Sequence, residues 1–430
     1  MSAQNPRLLA ALCLLDVEEG GYSNLVFKRR APGAELEHRD LRFAAALFYG
    51  TLERKLTLDY ILGKNLTRSP DKLDREVLAA LRCGLYQCLY MDAVPVSAAV
   101  DESVKLCRTL KKSSAAPLVN AVLRRAGAFD LREIANIKDE DARRTVQFSM
   151  CAPLAAMISE QYGPLSEEIM NAFFARPKNC ARVNTIKTTG SRVAEKLAAL
   201  GIAARPGEHA DSLIIDGEGW LDSSPFRDGS LRLQSAAAQL AVHALKSKPG
   251  MSVLDMCAAP GGKTLTCAQI MDNTGRIVAL DRSENRLKLL EKQALLEGVS
   301  IVETKCADAS TYDDGELYDR VLCDVPCSGY GEISSKPELR YKPPAKDSSL
   351  WETQRAILER GADRVKPGGM LVYSTCTLDC RENEDVSQEF EARQSNFRVI
   401  VADSGEKYSK IIPTADDPEG FFVVTFERMC

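Results

Sequence analysis

The sequence lacks any apolar run long enough to span a bilayer, which excludes a helical integral membrane protein. Its first residues, Met1 to Arg7, also lack the basic-then-apolar order of a signal peptide. Internal repeats and low-complexity tracts are absent as well. The 14 cysteines are spread over 430 residues rather than concentrated in a small secreted chain. We therefore expect reduced thiols and a cytoplasmic protein without a membrane partner.

A strong charge of either sign is also missing. The net charge of −4 argues against a protein that holds nucleic acid by bulk charge alone. Residues 1–135, however, contain 20 of the 56 Lys and Arg residues but only 16 of the 60 Asp and Glu residues, a local balance of +4. Lys28-Arg29-Arg30, Lys111-Lys112 and Arg124-Arg125 form local basic clusters. They fit either solvated helix faces or an RNA-binding surface.

A chain of this length predicts two or three domains. Residues 1–138 predict an all-helical domain, because no strand alternation interrupts the pattern between Arg7 and Phe129. Apolar residues recur there at helical spacing, as at Leu78, Leu81, Leu85 and Leu89. Gly20-Gly21 predicts the end of the first helix.

Residues 139–234 predict linker helices followed by a small α+β module. The expected elements are two helices, a strand, a helix and a second strand, at 153–162, 165–175, 181–187, 191–200 and 212–216. The first strand carries basic residues between Arg182 and Lys187. It fits equally well a surface that faces a polyanion and an edge strand with solvated basic side chains.

Residues 235–430 predict a mostly parallel, doubly wound α/β sheet, because strands and amphipathic helices alternate. The expected strands lie near 252–257, 276–281, 301–307, 319–324 and 369–375. A late strand at 421–426 is expected to pair antiparallel at one side.

The first of these strands runs into a glycine-rich turn, Cys257-Ala258-Ala259-Pro260-Gly261-Gly262-Lys263. Three cofactor classes compete for this turn. A phosphate loop would require glycine where Cys257 stands, and Pro260 lacks a backbone N–H for phosphate. The G-x-G-x-x-G pattern of a dinucleotide site is absent. The third class, a nucleoside cofactor without phosphates, would be held by the backbone of the turn and the start of the next helix.

Acidic residues at the next strand ends favour the third class. Asp281 ends the following strand, where a carboxylate can accept both ribose hydroxyls. Asp308 follows the strand after that and could accept a hydrogen bond from an adenine amino group. S-adenosylmethionine fits this set, although each Asp taken alone also suits a cap or a turn.

Cysteines follow the last two parallel strands. Cys327 lies in Asp324-Val325-Pro326-Cys327-Ser328-Gly329, and Cys376 follows Ser374-Thr375. Cys323, Cys327, Cys376 and Cys380 could supply four zinc ligands, but Cys323 should be buried on the opposite strand face from Asp324, so we expect no metal. A thiolate could instead add to carbon 6 of an unstacked pyrimidine and activate carbon 5 toward a sulfonium methyl group, with Asp324 assisting at the ring nitrogen.

These three motifs resemble those of the RNA cytosine-5 methyltransferases of the Nop2/Sun class. The helical part, with Val100-Asp101-Glu102-Ser103-Val104 and Leu118 to Arg125, resembles the NusB-like RNA-binding domain. The resemblance implies an all-α NusB-like bundle, a small α+β middle module and a Rossmann-like, doubly wound methyltransferase domain that uses S-adenosylmethionine.

The resemblance also implies roles for individual residues. Cys376 matches the family's nucleophile, and Cys327 matches the cysteine that assists product release. The positions matching the cofactor contacts are Cys257, Ala258, Ala259, Pro260, Gly261, Gly262, Lys263, Asp281, Asp308 and Asp324. Arg182-Val183-Asn184-Thr185 matches a strand of the RNA-facing middle module. Two segments depart from the family pattern, since Ser334-Ser335 replaces the common arginine and Leu233-Gln234-Ser235 lacks the usual aspartate.

The implied substrate is a cytosine of 16S ribosomal RNA, met before or during small-subunit assembly by a monomeric enzyme. Transfer RNA or another ribosomal position is the alternative substrate. A non-catalytic RNA-binding or antitermination factor is an alternative of a different class, but it would have no need of Cys376, Cys327 and Asp324.

Overall fold

The structure is a computed structural model that describes residues 5–401 and 405–430. Met1 to Gln4, which entered the signal-peptide argument, lie outside the described residues. Within these ranges no helix is both long and apolar enough to cross a membrane. The chain folds into two compact units, Met1–Phe174 with Ile333–Pro344, and Ala175–Glu332 with Ala345–Cys430.

The first unit is helical, as its apolar spacing predicts. Leu78, Leu81 and Leu85 are buried on one helix. The first helix ends at Glu18, just before Gly20-Gly21. The helices are α1 (Pro6–Glu18), α2 (Ser23–Arg30), α3 (His38–Glu53), α4 (Lys55–Asn65), α5 (Arg75–Tyr90), α6 (Val96–Thr109), α7 (Ala116–Ala126), α8 (Glu140–Gln147), α9 (Ala152–Tyr162) and α10 (Ser166–Ala172).

The basic clusters of this unit are partly neutralised by carboxylates. Arg29 and Arg30 both contact Asp16 at 2.6 Å, and Lys112 contacts Asp74 at 2.8 Å. Ion pairs near the surface add little stability, but they reduce the positive charge that a polyanion would meet.

The segment Ile333–Pro344 packs within the first unit, although it is distant in sequence from that unit's helices. Arg340 is fully buried and donates to the carbonyl oxygens of Phe148 (2.9 Å) and Phe173 (2.8 Å). The Tyr341 hydroxyl accepts the backbone N–H of Lys55 at 3.2 Å. Both terminal guanidinium nitrogens of Arg340 are thereby paired, whereas its Nε has no hydrogen-bond partner among the residues that the structure describes.

The second unit contains the alternating strands and helices. Its elements are β1 (Cys180–Val183), α11 (Gly190–Ala198), β2 (Ala203–Pro206), β3 (Ser212–Asp216), α12 (Ser224–Arg227), β4 (Leu231–Leu233), α13 (Ala236–Ala244), β5 (Ser252–Asp255), α14 (Gly262–Ile270), β6 (Arg276–Asp281), α15 (Glu284–Glu297), β7 (Val302–Cys306), β8 (Tyr318–Asp324), α16 (Ser349–Asp363), β9 (Val365–Thr375), α17 (Glu384–Arg393), β10 (Phe397–Val399), β11 (Ser409–Ile411) and β12 (Phe421–Arg428).

Two sheets organise this unit. The smaller one has the order β2-β3-β1-β4, and its pairs are antiparallel. The larger one has the order β10-β12-β9-β8-β5-β6-β7, with β11 paired to β12. Strands β5 to β9 are parallel, and β12 is antiparallel to β9, as the sequence predicts. Ile277 to Leu280 of β6 are fully buried, because helices cover both faces of such a sheet.

The polyanion-facing interpretation is wrong for Arg182, which lies on the inner strand β1 and is buried, whereas Lys187, beyond the end of β1, is exposed. Arg182 contacts Glu297 at 2.9 Å, and the Asn184 amide donates to the carbonyl oxygens of Gly229 and Glu297. The alternative of a solvated edge strand is wrong for the same reason. These side chains fasten β1 to the end of α15.

Glu297 is the centre of this buried polar cluster. Its carboxylate accepts hydrogen bonds from Arg182 (2.9 Å), Gln269 (2.9 Å) and Gln293 (2.7 Å), and Arg232 lies 3.5 Å away. Glu297→Gln would leave two buried guanidinium groups without their counter-charge, so we expect it to destabilise the fold by about 3–5 kcal/mol. Glu303→Gln, which breaks an exposed ion pair with Arg276, is the matched control and should change little. Urea unfolding followed by circular dichroism compares the two, and equal midpoints would contradict the expectation.

Candidate active site

The parallel strands bring the predicted motifs to one edge of the larger sheet. Asp324 at the end of β8 is in register with Ser374 of β9, and Asp255 at the end of β5 is in register with Leu322. In open α/β sheets the carboxyl ends of the strands are where ligands bind. The turn after β5 and the cysteine segments after β8 and β9 therefore converge.

The two predicted reactive thiols lie side by side. The Cys327 and Cys376 sulfurs are 3.3 Å apart, and the Cys376 sulfur is 3.4 Å from Oε2 of Glu332. The hydrogen bond with Cys327, burial, and the negative charges of Glu332 and Asp324 raise the pKa of Cys376 well above its usual value. Cys376 is thus a thiol, and it needs help to become a nucleophile.

Asp324 is held by two partners. Lys263 donates to its Oδ2 at 2.7 Å, and the Ser374 hydroxyl donates to its Oδ1 at 2.8 Å. Burial opposes the charge on Lys263, but the Asp324 carboxylate outweighs it and raises the pKa of Lys263 overall. The pair places a bound proton beside the two thiols.

A separate buried network fixes the cysteine segments. The Glu382 carboxylate accepts the Ser328 N–H (3.0 Å) and the Gln354 amide (2.8 Å). The hydroxyls of Ser328 and Thr377 lie 2.6 Å apart, which ties the segment after β8 to the segment after β9. Burial raises the pKa of Glu382. Sequence reasoning missed this residue, whose only signal is its place six positions after Cys376.

The turn after β5 borders a cavity of about 390 Å³. The cavity is lined by Leu233, Gln234, Ser235, Ala238, Asp255, Cys257, Ala258, Ala259, Pro260, Gly262, Lys263, Asp324, Glu332 and Glu419. Most predicted cofactor residues are therefore brought together. Gly261 caps α14 with a φ of 112°, a conformation that favours glycine, and a side chain there would meet Leu290.

Sequence reasoning missed three acidic residues of this lining, Asp255, Glu332 and Glu419. Burial raises the pKa of Asp255 to about 7, and its carboxyl accepts the Thr264 hydroxyl at 2.7 Å. Burial also raises the pKa of Glu419 to about 7. For Asp255 the available signal is its position at a strand end before the glycine turn. Glu419 precedes a distant strand, and only the fold brings it here.

The charges of the lining decide between the cofactor classes. Four acidic side chains border the cavity, and Lys263, the one basic residue among the lining residues, is already paired with Asp324. Such a set offers a phosphate group no further basic side chain, whereas its remaining negative charge favours a cationic sulfonium and ammonium. The residues present thus fit S-adenosylmethionine and disfavour both the phosphate-loop and the dinucleotide alternatives.

Asp281 and Asp308 lie at the ends of the next strands but do not belong to the lining of this cavity. Asp281 is buried, accepts the Ser283 N–H at 2.9 Å and contacts Arg286 at 3.1 Å. Asp308 is more exposed and accepts the Ser310 N–H and hydroxyl, as a turn residue does. Their cofactor roles stay predictions.

The alternative zinc set is not assembled. Cys323 is fully buried and lies beneath Gly361 on the other side of its strand, and the Cys380 sulfur lies 3.8 Å from the Lys410 ammonium. In the part of the chain that the structure describes, no group of three or more His, Cys, Asp or Glu side chains is arranged to hold a metal ion.

The sheet topology and this cavity define the class of protein, an S-adenosylmethionine-dependent methyltransferase with a doubly wound catalytic domain. Three family models match successive parts of the chain. They are the NusB family at residues 4–127, the RsmF/B-like ferredoxin-like domain at 154–219, and the 16S rRNA methyltransferase RsmB/F family at 242–427.

Individual relatives of the chain agree with these family matches. The chain is 32% identical over 447 aligned residues to the probable ribosomal RNA small subunit methyltransferase B of Bacillus subtilis, with 100% of both chains covered. The crystal structure of PH0851 superposes with a TM-score of 0.83 at 26% identity, covering 98% of this chain and 99% of that one. NSun6 from Pyrococcus horikoshii with SFG, an S-adenosylmethionine analogue, shares the fold at 21% identity and a TM-score of 0.59, over 65% of this chain and 98% of that one.

The chain therefore belongs to the RsmB/RsmF family of 16S rRNA methyltransferases. The predicted fold class, with its helical bundle, small middle module and α/β domain, is confirmed. S-adenosylmethionine is the methyl donor, as predicted.

We expect Asp281→Ala to weaken the binding of S-adenosylmethionine, because a ribose would lose two hydrogen bonds to a charged carboxylate. The cost should be on the order of 2–5 kcal/mol. Isothermal titration measures it, with Asp363→Ala on the exposed side of α16 as the control. An unchanged dissociation constant in Asp281→Ala would place the ribose elsewhere.

Proposed function

We propose that this protein methylates carbon 5 of a cytosine in 16S ribosomal RNA through a covalent bond between Cys376 and carbon 6 of the base. The observation that carries the proposal is the pair of thiols, 3.3 Å apart, beside Glu332, which lines the cofactor cavity. A partly buried thiol beside a second thiol, a carboxylate and an ammonium group suits addition to an electron-poor ring. It serves no purpose in a protein that only binds RNA.

Each step can be assigned to a group of this chain. The Cys376 sulfur adds to carbon 6, the ring electrons shift through carbon 5 toward nitrogen 3, and that nitrogen takes up a proton. We assign the donation of this proton to the Lys263–Asp324 pair, which is joined at 2.7 Å. Carbon 5 becomes nucleophilic as a result. When bound, S-adenosylmethionine supplies an electrophilic methyl group on a sulfonium.

The second half of the reaction requires a group that helps the enzyme leave the base. Carbon 5 must give up its proton, which passes to solvent water, so that the carbon 5–carbon 6 double bond re-forms. Nitrogen 3 then returns its proton to the Lys263–Asp324 pair as the sulfur departs. Cys327 adjoins Cys376 and is held in place by Pro326 and by the Ser328–Glu382 hydrogen bond. We assign Cys327 to this release step.

The substrate assignment rests on the family and on the relatives named ribosomal RNA small subunit methyltransferase B. The match of residues 4–127 to the NusB family supports a helical unit that contacts RNA. We propose that the enzyme acts as a monomer in the cytoplasm on RNA that is free or in an assembling small subunit. The division of the chain at 138/139 and 234/235 also stays a proposal.

The two cysteines should fail at opposite ends of the reaction. Cys376→Ala should bind S-adenosylmethionine with nearly unchanged affinity but form no bond to RNA. Cys327→Ala should methylate once and then remain joined to the methylated base, because its release step is lost. A denaturing gel after incubation with RNA and S-adenosylmethionine shows the adduct as a slowly migrating band, and Cys380→Ala serves as the control. An adduct from Cys376→Ala instead would exchange the two roles.

Deleting the gene should remove one 5-methylcytosine from 16S ribosomal RNA and leave transfer RNA unchanged. Bisulfite sequencing of total RNA from the deletion strain and its parent measures both. Re-expression of the intact protein should restore the site, whereas the Cys376→Ala variant should not. Loss of a methylated cytosine from transfer RNA alone would favour the alternative substrate.

A further inference from the structure

The turn Tyr330–Glu332 is fastened directly beside Cys376. The Gly331 N–H donates to the Cys376 carbonyl oxygen at 2.9 Å, and the Gly420 N–H donates to the Gly331 carbonyl oxygen at 2.9 Å. A side chain at position 331 would lie 1.9 Å from the Gly420 carbonyl oxygen. The backbone before Glu332 is therefore fixed on both sides, and the Glu332 carboxylate is placed by the same contacts that hold Cys376.

Cys376 needs a base that acts during its attack. Its pKa lies well above the usual value, so little thiolate exists near neutral pH. A base within hydrogen-bond reach can take the proton as the carbon–sulfur bond forms. The groups that face Cys376 are Cys327, Glu332, Asp324 and Lys263.

Geometry selects Glu332 among these groups. Its Oε2 lies 3.4 Å from the Cys376 sulfur. Asp324 instead accepts from Lys263 and Ser374, and Cys327 is itself a thiol. Glu419 lines the same cavity and hydrogen-bonds with Ser235. Histidine, the commonest catalytic base, does not occur among the lining residues.

We propose that Glu332 is the catalytic base that accepts the Cys376 thiol proton as the sulfur adds to carbon 6, an inference that rests on the proposed function. The S–H electrons form the bond to carbon 6, and the proton moves to the Glu332 carboxylate. The ring electrons shift to nitrogen 3, which takes a proton from the Lys263–Asp324 pair. When sulfur later departs as a thiolate, the proton on Glu332 can return to it, so the base is regenerated.

The test uses the full-length protein and 16S RNA transcribed with 5-fluorocytidine. Fluorine cannot leave carbon 5 as a proton does, so the covalent adduct accumulates and its formation rate reports the first half of the reaction. At saturating RNA and S-adenosylmethionine, E332Q should form adduct about 100-fold more slowly than the wild-type protein, within the usual range for a lost general base. E303Q, which removes an exposed carboxyl of β7 outside the cavity, is the control and should stay within a few-fold of wild type.

The pH dependence separates a base from a merely structural residue. Without Glu332 the reaction depends on free thiolate, so the E332Q rate should rise about tenfold per pH unit up to the pKa of Cys376, whereas the wild-type rate should change less. E332D, which keeps a shorter carboxylate, should recover part of the rate and the flatter profile. If E332Q loses affinity for S-adenosylmethionine, the comparison of E332D with wild type decides instead.

The possible outcomes are distinct. An adduct that forms in E332Q at the wild-type rate and with the wild-type pH profile would overturn the role of Glu332. The role of Glu332 as a base would also be overturned if E332Q changed only the RNA concentration that gives half the maximal rate. Glu332 would then bind RNA. Absence of any adduct in the wild-type protein would instead refute the covalent mechanism of the proposed function.

Discussion

Asp324 and Ser374 face each other across the parallel strands β8 and β9, and the 2.8 Å hydrogen bond between their side chains links the ends of both strands. The rest of the site depends on this register. Cys327 follows Asp324 by three residues and Cys376 follows Ser374 by two, so the thiols meet only if these strands end together. A one-residue slip would turn every side chain of a strand to the other face of the sheet. The Lys263–Asp324 contact would then be lost as well.

The larger sheet and part of the candidate site could be predicted from the sequence. The apolar strands β5 to β9 stand out because they are buried on both faces, and their polar ends mark the functional edge. Short strands such as β10 and β11, with three residues each, give too little pattern to be recognised. Glu332 and Glu419 reach the cavity only through strand pairing between distant residues, which no local pattern encodes.

For Arg182, the sequence suggested a functional surface that the structure does not have. A basic residue on a short strand suggested a surface for a polyanion, but its partner Glu297 lies 115 positions away and α15 brings that carboxylate against β1. Charge patterning along the chain cannot distinguish an exposed cation from a buried one, because the difference depends on a tertiary contact. The same limit applies to Arg340, which a sequence reader would place at the surface and which is fully buried.

The acidic side chains of the cavity must not repel the phosphates of a bound RNA too strongly, and the raised pKa values of its buried carboxyls reduce that repulsion. RNA brings phosphates, and a fully ionised set of Asp255, Asp324, Glu332 and Glu419 would repel them. Burial raises the pKa of Asp255 and of Glu419 to about 7, so a substantial share of both groups is neutral near physiological pH. The ammonium of Lys263 compensates Asp324. The net negative charge facing a bound nucleotide is correspondingly smaller than the count of acidic residues suggests.

The segment Ile333–Pro344 has a consequence for how separable the two units are. The chain leaves the second unit after Glu332, contributes this segment to the helical unit and returns at Ala345. A proteolytic cut after Phe174 would therefore separate the first ten helices from a segment that belongs to their unit. The fragment after the cut would still carry Arg340 and Tyr341, but without the carbonyl oxygens of Phe148 and Phe173 and the Lys55 N–H that pair with them. The helical unit is complete only with a strip of chain that lies within the sequence of the second unit, so no single cut divides the chain into its two units.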